Sequence, residues 1–275
     1  MNMLPIYQLP FRHAFLIFIM FSFVGWISEV LYVGIFHEHK FVNRGFLYGP
    51  ICPVYGFGGV VILLLPPSLY NTWLPLFFAS MILCTAVEYL VSWIMEKMFH
   101  ARWWDYSHYK LNINGRICLL NSVLFGFMGL GVIHFVYPYM LAFLDWLGDF
   151  VTKTSSDIIG IGLGIDMVAT IRKLVDFSAT VEKIKTFGDS LRDHYGNEVW
   201  FRGENFAEML ASVKEQAASN KDKISQSVLE KIEHFQTARN KAAESFMAHF
   251  PTMKSIQYKD ELEHLKSKIR ARLKK

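Results

Sequence analysis

Long apolar runs alternate with short polar connections over the first 175 or so residues of the chain. A helix needs about 20 apolar residues to cross the hydrocarbon core of a bilayer. Windows of this kind predict membrane-spanning helices over Phe11 to Phe36, Phe46 to Leu65, Thr72 to Phe99 and Ile117 to Tyr139. A fifth, shorter stretch from Ser156 to Val175 either crosses a thin bilayer or lies on its surface as an amphipathic helix.

The pattern changes from Asp176 onward, where apolar residues recur at helical steps of three or four between polar ones. Those residues are Ile224, Val228, Ile232, Phe235 and Ala238. The sequence therefore predicts an all-α fold, with a polytopic bundle of about five transmembrane helices in residues 1–175 and a helical tail in residues 176–275. The tail is either a solvated or self-associating helix or an arm that docks a partner, and the first is the simpler interpretation.

Basic residues set the predicted orientation, because Lys and Arg concentrate on the cytoplasmic side of membrane proteins. The connection after the first span holds Lys40 and Arg44, and the one after the third holds four more basic residues. The connection from Pro66 to Asn71 holds none. We therefore expect an external N-terminus, with no cleavable signal peptide, and a cytoplasmic tail.

Composition and motifs exclude several classes of function. The net charge of +4 is small, and no nucleic-acid-binding motif is present. Cys52, Cys84 and Cys118 all lie in or beside apolar segments and predict no disulfide framework. The sequence has no P-loop, no His-Glu-x-x-His pair and no Gly-x-Ser-x-Gly elbow, so we expect no catalytic site, metal or cofactor.

An internal duplication is suggested by the order of features in the first two and the next two spans. Each half has a Glu in one span, Glu29 or Glu88, followed by an Asn, Gly and Arg cluster and a Cys that open the next span. Parallel repeats of this kind are related by an axis along the membrane normal and would place the two Glu face to face. Coincidence in a Gly-rich membrane sequence is the alternative.

Carboxylates within the hydrocarbon are costly, so Glu29 and Glu88 should pair inside the bundle or be protonated. Arg44 and Arg116 open the following spans and are the predicted partners. These four residues define a candidate polar centre, which either lines a substrate pathway or fixes helix register through buried ion pairs. Supporting polar positions in the loops and later spans are Asn43, Asp105, Asn114, Asn121 and Asp166.

Several strings in the first 140 residues are distinctive together. They are Gly25-Trp26 with Glu29, Asn43-Arg44-Gly45-Phe46-Leu47-Tyr48-Gly49-Pro50, Cys52-Pro53-Val54-Tyr55-Gly56, Glu88-Tyr89, Trp104-Asp105-Tyr106 and Asn114-Gly115-Arg116-Ile117-Cys118-Leu119. They resemble the bacterial ABC-transporter type IV family of CmpB-like permeases. The resemblance implies a helical permease of the inner membrane that works with a separate P-loop ATPase, but it carries over no catalytic or substrate-binding residues.

The leading hypothesis is thus a transport component of the bacterial inner membrane, surrounded by lipid and partnered by an ATPase, with homo-oligomerisation left open. A membrane-embedded enzyme acting on lipid or envelope substrates could use the same carboxylates and Arg residues to bind a phosphate headgroup and transfer a proton. A non-catalytic sensor or scaffold would instead depend on the tail.

Overall fold

The computed structural model describes residues 4–33, 46–99, 101–201, 206–219, 228–234, 237 and 254–255. Contacts divide the chain into two compact units. The first comprises Met1–Met98 and Trp103–Thr170, and the second comprises Phe99–Arg102 and Ile171–Lys275. The first unit contains all of the candidate site residues that the structure describes.

The described residues are almost entirely helical, which confirms the predicted all-α class. The helices are α1 (Phe11–Val33), α2 (Pro53–Leu63), α3 (Trp73–Phe99), α4 (Leu119–Gly131), α5 (Tyr137–Tyr195) and α6 (Phe206–Ser219). A π-helix (Val132–Val136) joins α4 to α5, and 3₁₀ turns occupy Ile6–Gln8 and Pro67–Leu69. The strands are β1 (Ala101–Arg102), β2 (Asn112–Ile113), β3 (Ile117–Cys118) and β4 (Lys254–Ser255), with β1 antiparallel to β4 and β2 antiparallel to β3.

Three helical stretches among the described residues are long and apolar enough to cross a membrane: Phe11–Leu31, Trp73–Met98 and Leu119–Asp176. The third has 58 residues, which at 1.5 Å per residue is roughly 85 Å, far more than one bilayer core of about 30 Å. Gly148 interrupts it with φ 72° and ψ 165°, a left-handed conformation that favours glycine. The predicted fourth and fifth spans lie in the arms before and after this break.

The second predicted span is shorter than expected. It was predicted from Phe46 to Leu65, but residues 46–50 form bends and the helix begins only at Pro53. Proline lacks an amide hydrogen and disfavours helical geometry in the residue before it, so Pro50 and Pro53 end any helix approaching from Phe46, and Pro53 starts the new one. The resulting 11-residue α2 is about 16 Å long, half the thickness of a bilayer core.

Glycines let α2 approach α1 closely. A Cβ added to Gly56 would lie 2.6 Å from the Phe18 ring, and one added to Gly59 would lie 2.5 Å from the Phe21 ring. Nearer the end of α1, a Cβ on Gly25 would lie 2.2 Å from Tyr55. Such distances are well inside van der Waals contact, so this helix pair depends on the missing side chains.

Two glycines of α4 likewise let this helix approach α3 closely. A Cβ on Gly126 would lie 2.5 Å from the Phe77 ring, and one on Gly129 would lie 2.2 Å from the Ser80 Cβ. In both helix pairs the two glycines are three residues apart, as are the residues that they contact. The aromatic residue at the first glycine precedes a Glu by eleven residues in each case. This common register supports the predicted duplication.

Apolar side chains from all parts of the first unit form its core. Ile17 of α1, Leu63 of α2, Leu76 of α3 and Ile133 of the π-helix are fully buried together with Tyr137 at the start of α5. Large apolar residues elsewhere on the same helices are exposed, as expected for surfaces that face lipid rather than water.

The second unit has a separate apolar cluster. Leu191 and Tyr195 at the end of α5 pack with Leu210 and Val213 of α6 and with Ile232. Of the residues in the amphipathic pattern predicted for the tail, Val228 and Ile232 lie in this cluster. Ile224, Phe235, Ala238 and residues 256–275 of the predicted helical tail lie outside the described residues.

Candidate functional site

Glu88 is the buried carboxylate of the site. Its residue is only 8% exposed, two-thirds of the way along the membrane-spanning helix α3. The Tyr106 hydroxyl donates a hydrogen bond to Oε1 at 3.0 Å. Oε2 is closed off from solvent and has no hydrogen-bond partner among the described residues, although the Asn121 side chain of α4 lies beside the carboxyl group. A buried carboxyl oxygen without a donor is uncommon and calls for a functional explanation.

Tyr106 comes from the connection between α3 and α4 rather than from a helix. Its backbone N–H is held by the Gly115 carbonyl at 2.8 Å, which fixes the ring's approach to α3. Burial raises the pKa of the Tyr106 phenol well above its usual value, and the nearby Glu88 carboxylate raises the pKa further. Tyr106 therefore keeps its proton and acts as a donor.

Glu29 forms the corresponding pair in the first half of the chain. The Tyr55 hydroxyl donates to its Oε1 at 2.7 Å. Tyr55 reaches it because its ring packs on Gly25, one helical turn before Glu29. Unlike Glu88, Glu29 is only partly buried.

The two Glu–Tyr pairs lie close to one another. Tyr106 is near enough to Glu29, and Tyr55 near enough to Tyr106, for their charges to interact, and Cys52 adjoins Glu29 and Tyr55. Two carboxyl groups and two phenols thus meet in one region of the bundle. We call Glu29, Tyr55, Glu88, Tyr106 and Asn121 the polar centre.

Arg116 does not pair with Glu88 as predicted. Its Nη2 forms an ion pair with Glu96 Oε2 at 2.8 Å, Nη1 donates to the Tyr89 hydroxyl at 3.2 Å, and the guanidinium carbon lies 5.3 Å from the centre of the Tyr89 ring. The Trp104 indole N–H donates to the Arg116 carbonyl at 3.0 Å. Glu96 lies two helical turns closer than Glu88 to the end of α3, so it is the carboxylate within reach of a residue held in the connecting loop.

A tight turn between β2 and β3 holds Arg116 in that place. Asn114 has φ 52° and Gly115 φ 67°, both left-handed, and these are the residue types that tolerate such angles best. The Asn114 amide donates to the Tyr89 hydroxyl at 3.2 Å, and Asn112 Oδ1 accepts from the Gly115 N–H at 2.9 Å. Asn114 therefore forms part of this turn and ties the turn to α3.

Asp105 and Asp166 both accept hydrogen bonds from backbone N–H groups. Asp105 Oδ1 accepts the Ser107 N–H at 3.0 Å and so forms a local turn. The two carboxylate oxygens of Asp166 accept the backbone N–H groups of Tyr48 and Gly49 at 2.8 and 2.7 Å. Those N–H groups are free to be bound because the chain before Pro53 is bent rather than helical.

The predicted residues thus separate into three places. Glu29, Glu88 and Asn121 share the polar centre, Arg116 and Asn114 lie on Tyr89 and Glu96, and Asp166 holds the bend before α2. Asn43 and Arg44 lie outside the described residues. Sequence reasoning missed Tyr55 and Tyr106 as members of the site, although both occur in the distinctive strings Cys-Pro-Val-Tyr-Gly and Trp-Asp-Tyr.

Comparison with known protein families matches residues 16–171 to the family described as Putative ABC-transporter type IV. The match covers more than half of the chain, including all five residues of the polar centre. The chain belongs to this family. No curated protein and no solved structure matches it. Family and apolar helices together identify a membrane protein of the ABC-transporter type.

The chemistry available at the polar centre follows from its composition. Carboxylates and phenols bind cations and protons, and an amide such as Asn121 can donate to a carboxylate or accept from a carboxylic acid. Arg116, the basic residue that was predicted to pair with Glu88, is occupied by Glu96 and Tyr89. As described, the polar centre is suited to positive charge rather than to an anionic headgroup.

Proposed function

We propose that the chain is the membrane-spanning permease subunit of a transporter powered by a separate ATPase, with the polar centre in its substrate pathway. The observation that carries this proposal is the family match, since residues 16–171 include every helix that builds the polar centre. Intramembrane carboxylates that face a bundle interior commonly mark the paths of ions and substrates.

Exposure along the second arm of α5 supports a position within lipid. Ile158, Ile161, Ile165 and Val168 are each more than half exposed and recur at helical spacing. Such a face would be unfavourable in water and is favourable against acyl chains. We place the protein in the bacterial inner membrane, with its N-terminus outside and its tail in the cytoplasm, from the distribution of Lys and Arg in the connections.

The enzyme alternative requires Arg side chains beside the intramembrane carboxylates to bind a phosphate headgroup. Of its two Arg residues, Arg116 is bound to Glu96 and Tyr89, and Arg44 lies outside the described residues. No contact among the described residues favours a lipid-modifying reaction over transport.

The connection between α3 and α4 is the part of the first unit that we assign to the ATPase. Leu111 and Ile113 are 67% and 58% exposed, yet the turn that carries them is held firmly on α3 through Asn114 and Arg116. A rigid loop with protruding apolar side chains is a suitable anchor for a partner protein. On the proposed orientation this loop lies in the cytoplasm.

The test is purification of the tagged full-length chain from its own membranes in mild detergent, with identification of co-purifying proteins by mass spectrometry. We expect a P-loop ATPase in constant ratio to the chain. The variant Leu111→Ser/Ile113→Ser should lose the ATPase, because both side chains are exposed and their removal leaves the fold intact. The matched variant Glu29→Gln/Glu88→Gln should retain it, because the polar centre is not the proposed contact.

Two results would contradict the proposal. The absence of any ATPase from the purified native chain would remove the permease assignment. An ATPase retained by Leu111→Ser/Ile113→Ser as fully as by the native chain would remove this loop as its binding site.

A further inference from the structure

Glu88 is more deeply buried than a residue that only lines a substrate pathway needs to be. The residue is only 8% exposed, Tyr106 holds Oε1, the Asn121 side chain is the other polar neighbour of the carboxyl, and no group among the described residues meets hydrogen-bond geometry at Oε2. An ionised carboxylate left in this state would be strongly unfavourable, since a buried charge must be paired and hydrogen-bonded. A proton on Oε2 removes that cost, because the neutral acid needs far less stabilisation than the anion.

The space at Oε2 limits the size of the ligand. The atom is closed off from solvent by its neighbours, so a hydrated ion or an organic cation would have to displace packed side chains before reaching it. A proton needs only the length of an O–H bond. The neighbouring groups also suit both protonation states, because the Asn121 amide can accept from the acid through its oxygen or donate to the carboxylate through its nitrogen.

We propose that Glu88 binds and releases a proton at Oε2 while Tyr106 holds Oε1, making this carboxyl a proton-binding site of the membrane component. On binding, a hydronium ion gives up one O–H bond, the Oε2–H bond forms and water is left; on release, water takes the proton back as hydronium. Both transfers require water to reach Oε2, which packed neighbours close off in this conformation. This inference rests on the proposed function only for the role of the proton site in transport, where binding of the proton would be coupled to movement of the substrate.

Tyr106 links Glu88 to the connection that we assign to the ATPase. It belongs to the connection between α3 and α4, and the same connection is held on α3 further along by Arg116 and Asn114. Ionisation of Glu88 would strengthen its hydrogen bond from Tyr106, since charge-assisted bonds are about twice as strong as neutral ones. The proton at Glu88 therefore controls how tightly this connection is held.

Other titratable groups adjoin the site and must be distinguished from Glu88 in any measurement. Cys84 lies one turn away on the same helix, and around Tyr106 are three groups from the other elements. Those three are Glu29, Tyr55 and Cys118. Among these neighbours only Glu29 shares the infrared signal of a carboxylic acid with Glu88, and a pair of Gln variants separates the two from each other and from the other Asp and Glu residues of the chain.

The experiment is infrared difference spectroscopy of the full-length chain in lipid, with the buffer exchanged between acidic and alkaline pH. A protonated carboxyl has a C=O stretch that is resolved from the amide and carboxylate bands. The other Asp and Glu residues also absorb here at acidic pH, so the Glu88 band is identified by subtracting the spectra of variants from that of the native chain. We expect a Glu88 component that is lost on alkalinisation, absent from the Glu88→Gln variant and retained in the matched Glu29→Gln variant.

Tyr106→Phe keeps the protein testable if Glu88→Gln fails to fold. Loss of the phenol's hydrogen bond should shift the band of the remaining Glu88 acid to higher frequency without abolishing it. A band that is absent from the native chain, unchanged in Glu88→Gln or unmoved in Tyr106→Phe would overturn the proposal. Because no ATPase is needed for this measurement, a missing band leaves the permease assignment standing, and a missing ATPase leaves the proton site standing.

Discussion

The close approach of α3 and α4 makes Gly129→Ala a sensitive probe of the bundle. A Cβ at Gly129 would lie 2.2 Å from the Cβ and 2.1 Å from the Oγ of Ser80, which is fully buried. Carbon atoms in contact are about 3.5–4.0 Å apart, so the helices must separate locally by well over 1 Å. Rotation of the Ser80 side chain moves Oγ but leaves its Cβ in place, so a change of rotamer cannot relieve the overlap.

Overpacking of this kind costs about 1–3 kcal/mol. The matched control is Gly162→Ala in α5, where an added Cβ would meet nothing within 4 Å. There the change should be neutral or stabilising by up to about 1 kcal/mol, because alanine has the higher helix propensity. The free energy of unfolding, measured in mixed micelles with increasing SDS and followed by circular dichroism, should therefore separate the two variants by about 2 kcal/mol.

A second substitution tests the cause. Ser80→Gly removes both clashing atoms and leaves the Ser80 Cα at 3.7 Å from the new Cβ, an ordinary contact. The Gly129→Ala/Ser80→Gly protein should recover most of the lost stability, and the coupling energy is read from the double-mutant cycle. If Gly129→Ala is as stable as Gly162→Ala, or if Ser80→Gly brings no recovery, the reasoning on helix contact is refuted.

Three further predictions use the polar contacts of the same unit. Asp166→Asn should lower the free energy of unfolding by about 1.5–3 kcal/mol, since it weakens two charge-assisted bonds to backbone N–H groups. The control is Asp157→Asn, which should have little effect in the same measurement because Asp157 forms only an exposed 3.9 Å ion pair with Arg12. Arg116→Lys should be destabilising because an ammonium cannot reproduce the guanidinium's several directed bonds. An Arg116→Lys variant as stable as the native chain in SDS titration would contradict this. Because burial raises the pKa of Tyr106, the contribution of this residue to the free energy of unfolding should be full below the unfolded-state pKa of about 10 and should decline as pH rises beyond it. Tyr106→Phe should flatten that decline in alkaline unfolding curves.

Hydropathy predicted the helical spans well because burial in lipid is decided by solvent preference, which is a local property of the sequence. It placed the third span at Thr72 to Phe99, and the helix occupies Trp73–Phe99. It failed at the second span because a window of apolar residues takes no account of backbone geometry. Pro50 and Pro53 decide where α2 can begin, whatever the hydrophobicity of Phe46 to Leu65.

The contacts of the site were predicted less well because they depend on distance in space. Glu29 and Glu88 were predicted to share one polar region, since a carboxylate in an apolar helix is visible in sequence, and both lie near Tyr106. Their phenol partners were not, because Tyr55 and Tyr106 reach them from other elements. Arg116 was assigned to the wrong carboxylate because its position depends on the left-handed turn at Asn114 and Gly115.

The common register of the two helix pairs explains why both halves carry a Glu at the same depth, and the difference between their partners explains why the two Glu are unequal. In the first half the phenol comes from Tyr55 on α2 itself, beside a carboxyl that remains partly exposed. In the second half the phenol comes from Tyr106 on a connecting loop, and the loop covers Glu88. The repeated helix packing thus holds one covered and one partly exposed carboxyl, and the element that supplies the phenol distinguishes them.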